Sequence, residues 1–97
     1  MNTQEVEITR SRKGWSIHTI QHWQGWPNPT YTNKGESTLA WAVYTQYHWA
    51  SQNDTQIIKI TVDGLPLSRD KAEAAIRKVT AGGLHYTFKD TLAALYR

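Results

Sequence analysis

Cysteine is missing from this chain altogether, which excludes disulfide staples and thiolate metal sites and fits a reducing compartment. No apolar run is long enough to cross a bilayer, and Met1-Asn2-Thr3-Gln4-Glu5 lacks the apolar region of a secretory leader. The expectation is a cytoplasmic protein with no membrane partner. Acidic residues are also in the minority, 8 Asp and Glu against 11 Lys and Arg, for a formal net charge of +3. That sign excludes imitation of the DNA phosphate backbone by an acidic surface. It permits nucleic-acid contact without demanding it, and a dedicated DNA binder carries a denser basic stripe. Phe occurs once, and the aliphatic residues that usually fill a core are sparse.

What takes their place is indole and phenol, with 5 Trp and 5 Tyr in 97 residues. A chain of this length makes one domain, residues 1–97, and buries about two thirds of the surface its unfolded form exposes. Much of its core volume must come from rings with a polar handle, which favour half-buried sites and docking surfaces.

Glu5 to Arg10 alternates polar and apolar residues, Ser11-Arg12-Lys13-Gly14 reads as a turn, and alternation resumes from Trp15 to Ile20. A β-hairpin over residues 5–20 follows, with Trp15, Ile17 and Thr19 on one face. From Gln21 to Gly35 the pattern dissolves among Gly25, Pro27, Asn28, Pro29, Asn33 and Gly35. This reads as a long loop that Trp23, Trp26 and Tyr31 keep ordered and functional. Glu36 and Ser37 start a helix to about Ser51, with Leu39, Val43, Tyr47 and Ala50 as its apolar stripe and Trp41, Tyr44, His48 and Trp49 on its flanks. Gln52-Asn53-Asp54 ends it.

The β-branched run from Gln56 to Val62 reads as a strand central to a sheet, punctuated by Asp63-Gly64. Ser68 caps a second helix with Asp70 in its first turn, Ala72, Ala75, Ile76 and Val79 facing inward, and Gly82-Gly83 as its stop. A last helix runs from about Phe88 to Tyr96, with Phe88, Leu92, Leu95 and Tyr96 on one side. The fold class is α+β: a small antiparallel or mixed sheet, made of the N-terminal hairpin and one later strand, with two to three helices on one face.

Trp23, Trp26, Pro27 and Tyr31 are the candidate anchors of a docking surface, with Arg10, Arg12 and Lys13 as its charged rim. Two readings of the rings stand side by side: they dock onto a partner, or they fold back to complete a thin core. Trp26 is the ring expected to project, because Trp26-Pro27-Asn28-Pro29 cannot form regular structure around it. The basic turn either grips phosphates or an acidic patch, or is simply solvated. His18 and His22 would face one metal only on a helix, and their stretch reads as strand and loop, so no metal is expected. Lys71, Arg77 and Lys78 alternate with Asp70 and Glu73, the pattern of a solvated, ion-paired helix face. No nucleophile elbow or phosphate loop occurs, and Gly82-Gly83 lacks the Lys-Ser/Thr that would follow. A non-catalytic binding domain with no cofactor is the result. X-Pro bonds in loops can select an isomer on docking, which admits a host prolyl isomerase as an accessory partner. A second function class is a small DNA- or RNA-binding module, its hairpin tip on the backbone and its rings stacked on unpaired bases.

Gly14-Trp15-Ser16-Ile17-His18-Thr19-Ile20-Gln21-His22-Trp23 and Asp63-Gly64-Leu65-Pro66-Leu67-Ser68-Arg69-Asp70-Lys71, with the total length, resemble the small anti-RecBCD accessory proteins of lambdoid Salmonella phages. The resemblance is a whole-chain likeness with no motif that carries functional residues by position. It implies a phage protein that binds the host RecBCD helicase-nuclease through its RecC subunit and alters its exonuclease activity and its response to Chi. Phage recombination would thereby be favoured.

Overall fold

The computed structural model describes residues 2–81 and 91–95. Strand β1 (Asn2–Ser11) and strand β2 (Gly14–His22) form the expected hairpin, in register from Thr3 opposite His22 to Ser11 opposite Gly14. Along β1 the side chains of Gln4, Val6 and Ile8 are buried, and those between them face the other way. Ile17 and Thr19 of β2 are buried on the same side, with Trp15 packed against the edge of the core. Gly14 closes the turn at φ 134°, and a Cβ there would lie 2.4 Å from the Glu36 carbonyl oxygen. Only glycine lets the hairpin tip come so close to the neighbouring strand.

That neighbour corrects the expected long loop. Residues 30–35 belong to strand β3 (Thr30–Glu36), antiparallel to β2 from Gln21 opposite Thr30 to Trp15 opposite Glu36. The irregular segment shrinks to residues 23–29. Asn33 and Gly35 are poor strand formers, and pairing with β2 overrides their preference.

The remaining elements are α1 (Leu39–Gln52), β4 (Thr55–Val62), β5 (Leu65–Pro66) and α2 (Arg69–Thr80), with a helical segment at residues 91–95. The sheet is mixed and five-stranded, in the order β3-β2-β1-β4-β5, with β4 parallel to β1 and the other pairings antiparallel. The expected hairpin plus one later strand is therefore extended by β3 and β5. The Gln56–Val62 run is an interior strand as expected, flanked by β1 and β5, while β1 holds the middle of the five. In β4 a register shift lets Gln4 face Ile57 and Glu5 face Lys59, so Ile58 has no partner in β1 and is 55% exposed. A bulge thus explains an isoleucine in water within an apolar run.

The helices cover one face of the sheet. Val6, Ile8, Ile17 and Ile60 pack against Ala42, Val43, Tyr44 and Tyr47 of α1, Ala72 and Ile76 of α2, and Ala94 and Leu95. Tyr44, expected on a flank, is part of this core. Each fully buried aliphatic side chain contributes about 1.5–3 kcal/mol. Helix α1 starts later than expected, because Glu36 is used by β3 and Thr38 takes the cap, its Oγ1 accepting from the Trp41 amide at 3.2 Å. Ser68 caps α2 as expected, and Arg77 pairs with Glu73 at 2.7 Å one turn away. The Gly82-Gly83 stop, Phe88 and Tyr96 lie outside the described residues.

Two stability effects are expected. Gly14→Ala lowers stability by about 1–3 kcal/mol in a denaturant titration, whereas Gly25→Ala, at φ 81° but with nothing within 4 Å, costs only about 1 kcal/mol. Burial holds the Tyr47 phenol above its ordinary pKa of 10.0, against the opposing pull of the Arg69 charge. The folded state keeps that proton more tightly than the unfolded one. This contribution is fully present below about pH 10 and is lost as pH rises above it. Tyr47→Phe makes the alkaline fall in stability shallower, as melts between pH 9 and 11 would register.

Candidate docking surface

The segment between β2 and β3 is built from three attachments. The Trp26 amide donates to the Trp23 carbonyl at 3.0 Å, closing a turn in which Gly25 supplies φ 81°, a value that type II turns require at their third position. The Gln24 amide donates to Asn2 Oδ1 at 2.8 Å, tying the turn to the start of β1. Trp23 Nε1 donates to Thr30 Oγ1 at 2.8 Å, and that hydroxyl donates in turn to Gln21 Oε1 at 2.9 Å. The Trp23 ring stands edge-on to Trp49 of α1, centroids 6.1 Å apart at 73°. Trp23 is thus the bolt that fastens this segment to the helix layer. A half-buried ring so engaged offers little to a partner.

Trp26 is the opposite case. Its side chain is 72% exposed on a backbone fixed on both sides, with exposed Pro27 next to it. Every described peptide bond is trans, including Trp26-Pro27, Asn28-Pro29 and Leu65-Pro66. Tyr31 is 62% exposed on the sheet face away from the helices, where it stacks on His18 at 6.1 Å and 23°. His18 Nδ1 is 2.7 Å from Asn33 Oδ1, and His22 Nε2 lies 2.9 Å from Glu5 on the same face. Both histidines have side-chain partners, and no group of three or more metal-ligating side chains converges among the described residues.

The cationic rim lies elsewhere. Arg10, Arg12 and Lys13 are exposed at the hairpin tip, at the Gly14 end of β2, while the Trp26 segment follows His22 at the other end. With a rise of about 3.4 Å per residue, β2 separates them by about 27 Å. Arg10 lies over the Trp15 ring at 5.0 Å, and its amide donates to Asp63 Oδ1 at 2.9 Å, which joins the tip to the β4–β5 turn. The structure brings Trp23, Trp26, Pro27 and Tyr31 to one end of the sheet and the three cations to the other.

The supports Asn2, Thr30 and Trp49 carry no sequence signal as site residues, because each acts through a contact between distant elements. No family model matches this chain, nor does any curated protein or solved structure. Among the described residues no helix is long and apolar enough to cross a membrane.

The two indoles should separate cleanly in a urea titration. Trp23→Ala removes the bolt and lowers stability by about 2–3 kcal/mol, while Trp26→Ala stays within about 0.5 kcal/mol of the parent.

Proposed function

We propose that this chain is a non-catalytic binding protein that docks on another macromolecule through Trp26, with Pro27 and Tyr31 beside it. The observation that carries this reading is a large ring held in water by a backbone that is itself pinned at Trp23, Gln24 and Thr30. Such a side chain loses little conformational freedom on docking, and buried Trp and Tyr anchors dominate the energetics of interfaces.

The partner comes from the sequence resemblance: the host RecBCD helicase-nuclease, contacted at RecC, with altered exonuclease activity and Chi response as the consequence. A basic protein of this size acts by gripping the enzyme, since its charge has the wrong sign to stand in for DNA. Arg10, Arg12 and Lys13 then serve as a second contact about 27 Å away, or as a steering charge that speeds association. A host prolyl isomerase engaging Trp26-Pro27 or Asn28-Pro29 is the accessory partner in this scheme.

Calorimetric titration of purified RecBCD with the full chain tests the proposal. Saturable binding is expected, with Trp26→Ala raising Kd about fivefold or more, equivalent to at least about 1 kcal/mol. Equal affinity for parent and variant, or no binding to RecBCD, would overturn it.

A further inference from the structure

Strand β3 forms one margin of the sheet, and its free side is unfinished. The turn Arg12-Lys13 closes on the pair Ser11–Gly14, so even-numbered residues of β2 point their N–H and C=O groups at β1 and odd-numbered ones at β3. Thr30, Thr32, Lys34 and Glu36 spend theirs on β2 in turn, and Tyr31, Asn33 and Gly35 aim theirs outward. Those outward groups take no hydrogen bond among the described residues. Every residue of β3 but Glu36 is exposed, so neither face of this margin is covered.

The opposite margin is guarded. There β5 pairs with Thr61 and Val62, the Leu67 amide donates to the Ile60 carbonyl at 3.0 Å, and the bulge at Ile58 interrupts the rest of β4. Strand β3 has no proline and no register shift, and its one cation, Lys34, lies 3.8 Å from the carboxylate of its own Glu36. Gly35 is the residue that the single chain does not account for. Its backbone is outside the left-handed region, and a Cβ there would meet nothing nearer than the Trp15 carbonyl oxygen at 3.9 Å, an ordinary contact. Glycine weakens a strand, and it marks places where another backbone comes close.

We infer that β3 pairs with the β3 of a second copy, antiparallel about a two-fold axis at Asn33, to make one continuous sheet with both helix layers on the same face. The strand's own residues select that register. Outward groups must meet outward groups, so the registers open to it differ by steps of two residues. Centred on Asn33, Tyr31 of each copy lies opposite Gly35 of the other, a large ring across a missing side chain, and every outward N–H finds a carbonyl. Asn33 meets Asn33, with Oδ1 held by His18 at 2.7 Å and Nδ2 left to donate across the axis. A slide one way sets Lys34 directly against Lys34, and like charges in that position repel. A slide the other way brings Pro29, which has no N–H, opposite Gly35. Trp26 precedes the paired residues and takes no part in the ladder.

Sedimentation of the full chain from about 5 µM to about 1 mM tests this pairing with no other protein present. An edge this short makes a small interface, so the mass should rise from 11.1 kDa toward about 22 kDa with a midpoint on the order of 100 µM. Asn33→Lys and Asn33→Asp each place like charges across the axis, and each alone should associate at least about tenfold more weakly. The position is exposed, so circular dichroism and melting should match the parent for both. An equal mixture of the two variants should recover association to within about threefold of the parent, because Lys now faces Asp. Amide exchange adds a pattern: on concentration, protection rises at Tyr31, Asn33 and Gly35 and stays level at Thr32 and Lys34, already bonded within the chain. A chain that stays at 11.1 kDa throughout, or masses that climb past the dimer as one margin adds to the other, would overturn the inference. So would single variants that associate like the parent, a mixture that gains nothing over them, or protection that does not alternate.

Discussion

Pairing of β1 on both its edges, with its inner face pressed under the helices, is the constraint from which everything else takes its position. Val6 and Ile8 are fully buried against α1 and α2, while β2 and β4 flank the strand in opposite senses. Because the parallel β4 can be reached only by a crossover, α1 must lie across the sheet between β3 and β4 in sequence. That crossover delivers Trp49 to the end of the sheet where Trp23 leaves β2. The indole contact, and with it the fixed posture of the following turn, is a consequence of topology.

Fixing one Trp is what frees the other. Trp23 spends its ring on Trp49 and its N–H on Thr30, so residues 24–26 leave the sheet on a defined course and Trp26 has nothing to fold onto. Of the two neighbouring loop rings, Trp23 therefore folds back onto the helix layer and Trp26 stays in water. The cations at the hairpin tip belong to a different end of the molecule, joined to the β4–β5 turn through Asp63. A partner that touches both ends must run along the length of β2.

Local patterns were legible where a period or a cap is written in adjacent residues. The alternation through Val6 and Ile8, the glycine turn at Gly14, the cap at Ser68 and the inward face of α2 all follow from neighbours in the chain. Strand β3 was hidden because Asn33, Lys34 and Gly35 have no strand pattern of their own and are ordered only by the edge of β2. The exposure of Ile58 was hidden because a bulge is a relation between two strands. Gln4 did leave a trace: it is in phase with Val6 and Ile8, so a polar side chain occupies a core position, and such a position invites the question of what satisfies it. Beginning the strand at Glu5 loses that trace. The parting of Trp23 from Trp26 left none, since it depends on where α1 arrives.

The central claim is that Trp26 meets the partner and Trp23 does not. Fluorine NMR of the full chain carrying 5-fluorotryptophan, titrated with RecBCD in the presence of a soluble paramagnetic quencher, reads both rings at once. The expected result is a Trp26 resonance strongly quenched in the free protein and protected in the complex, with the Trp23 resonance little quenched in either. A Trp26 signal equally accessible in the complex, or protection appearing at Trp23 instead, would contradict it.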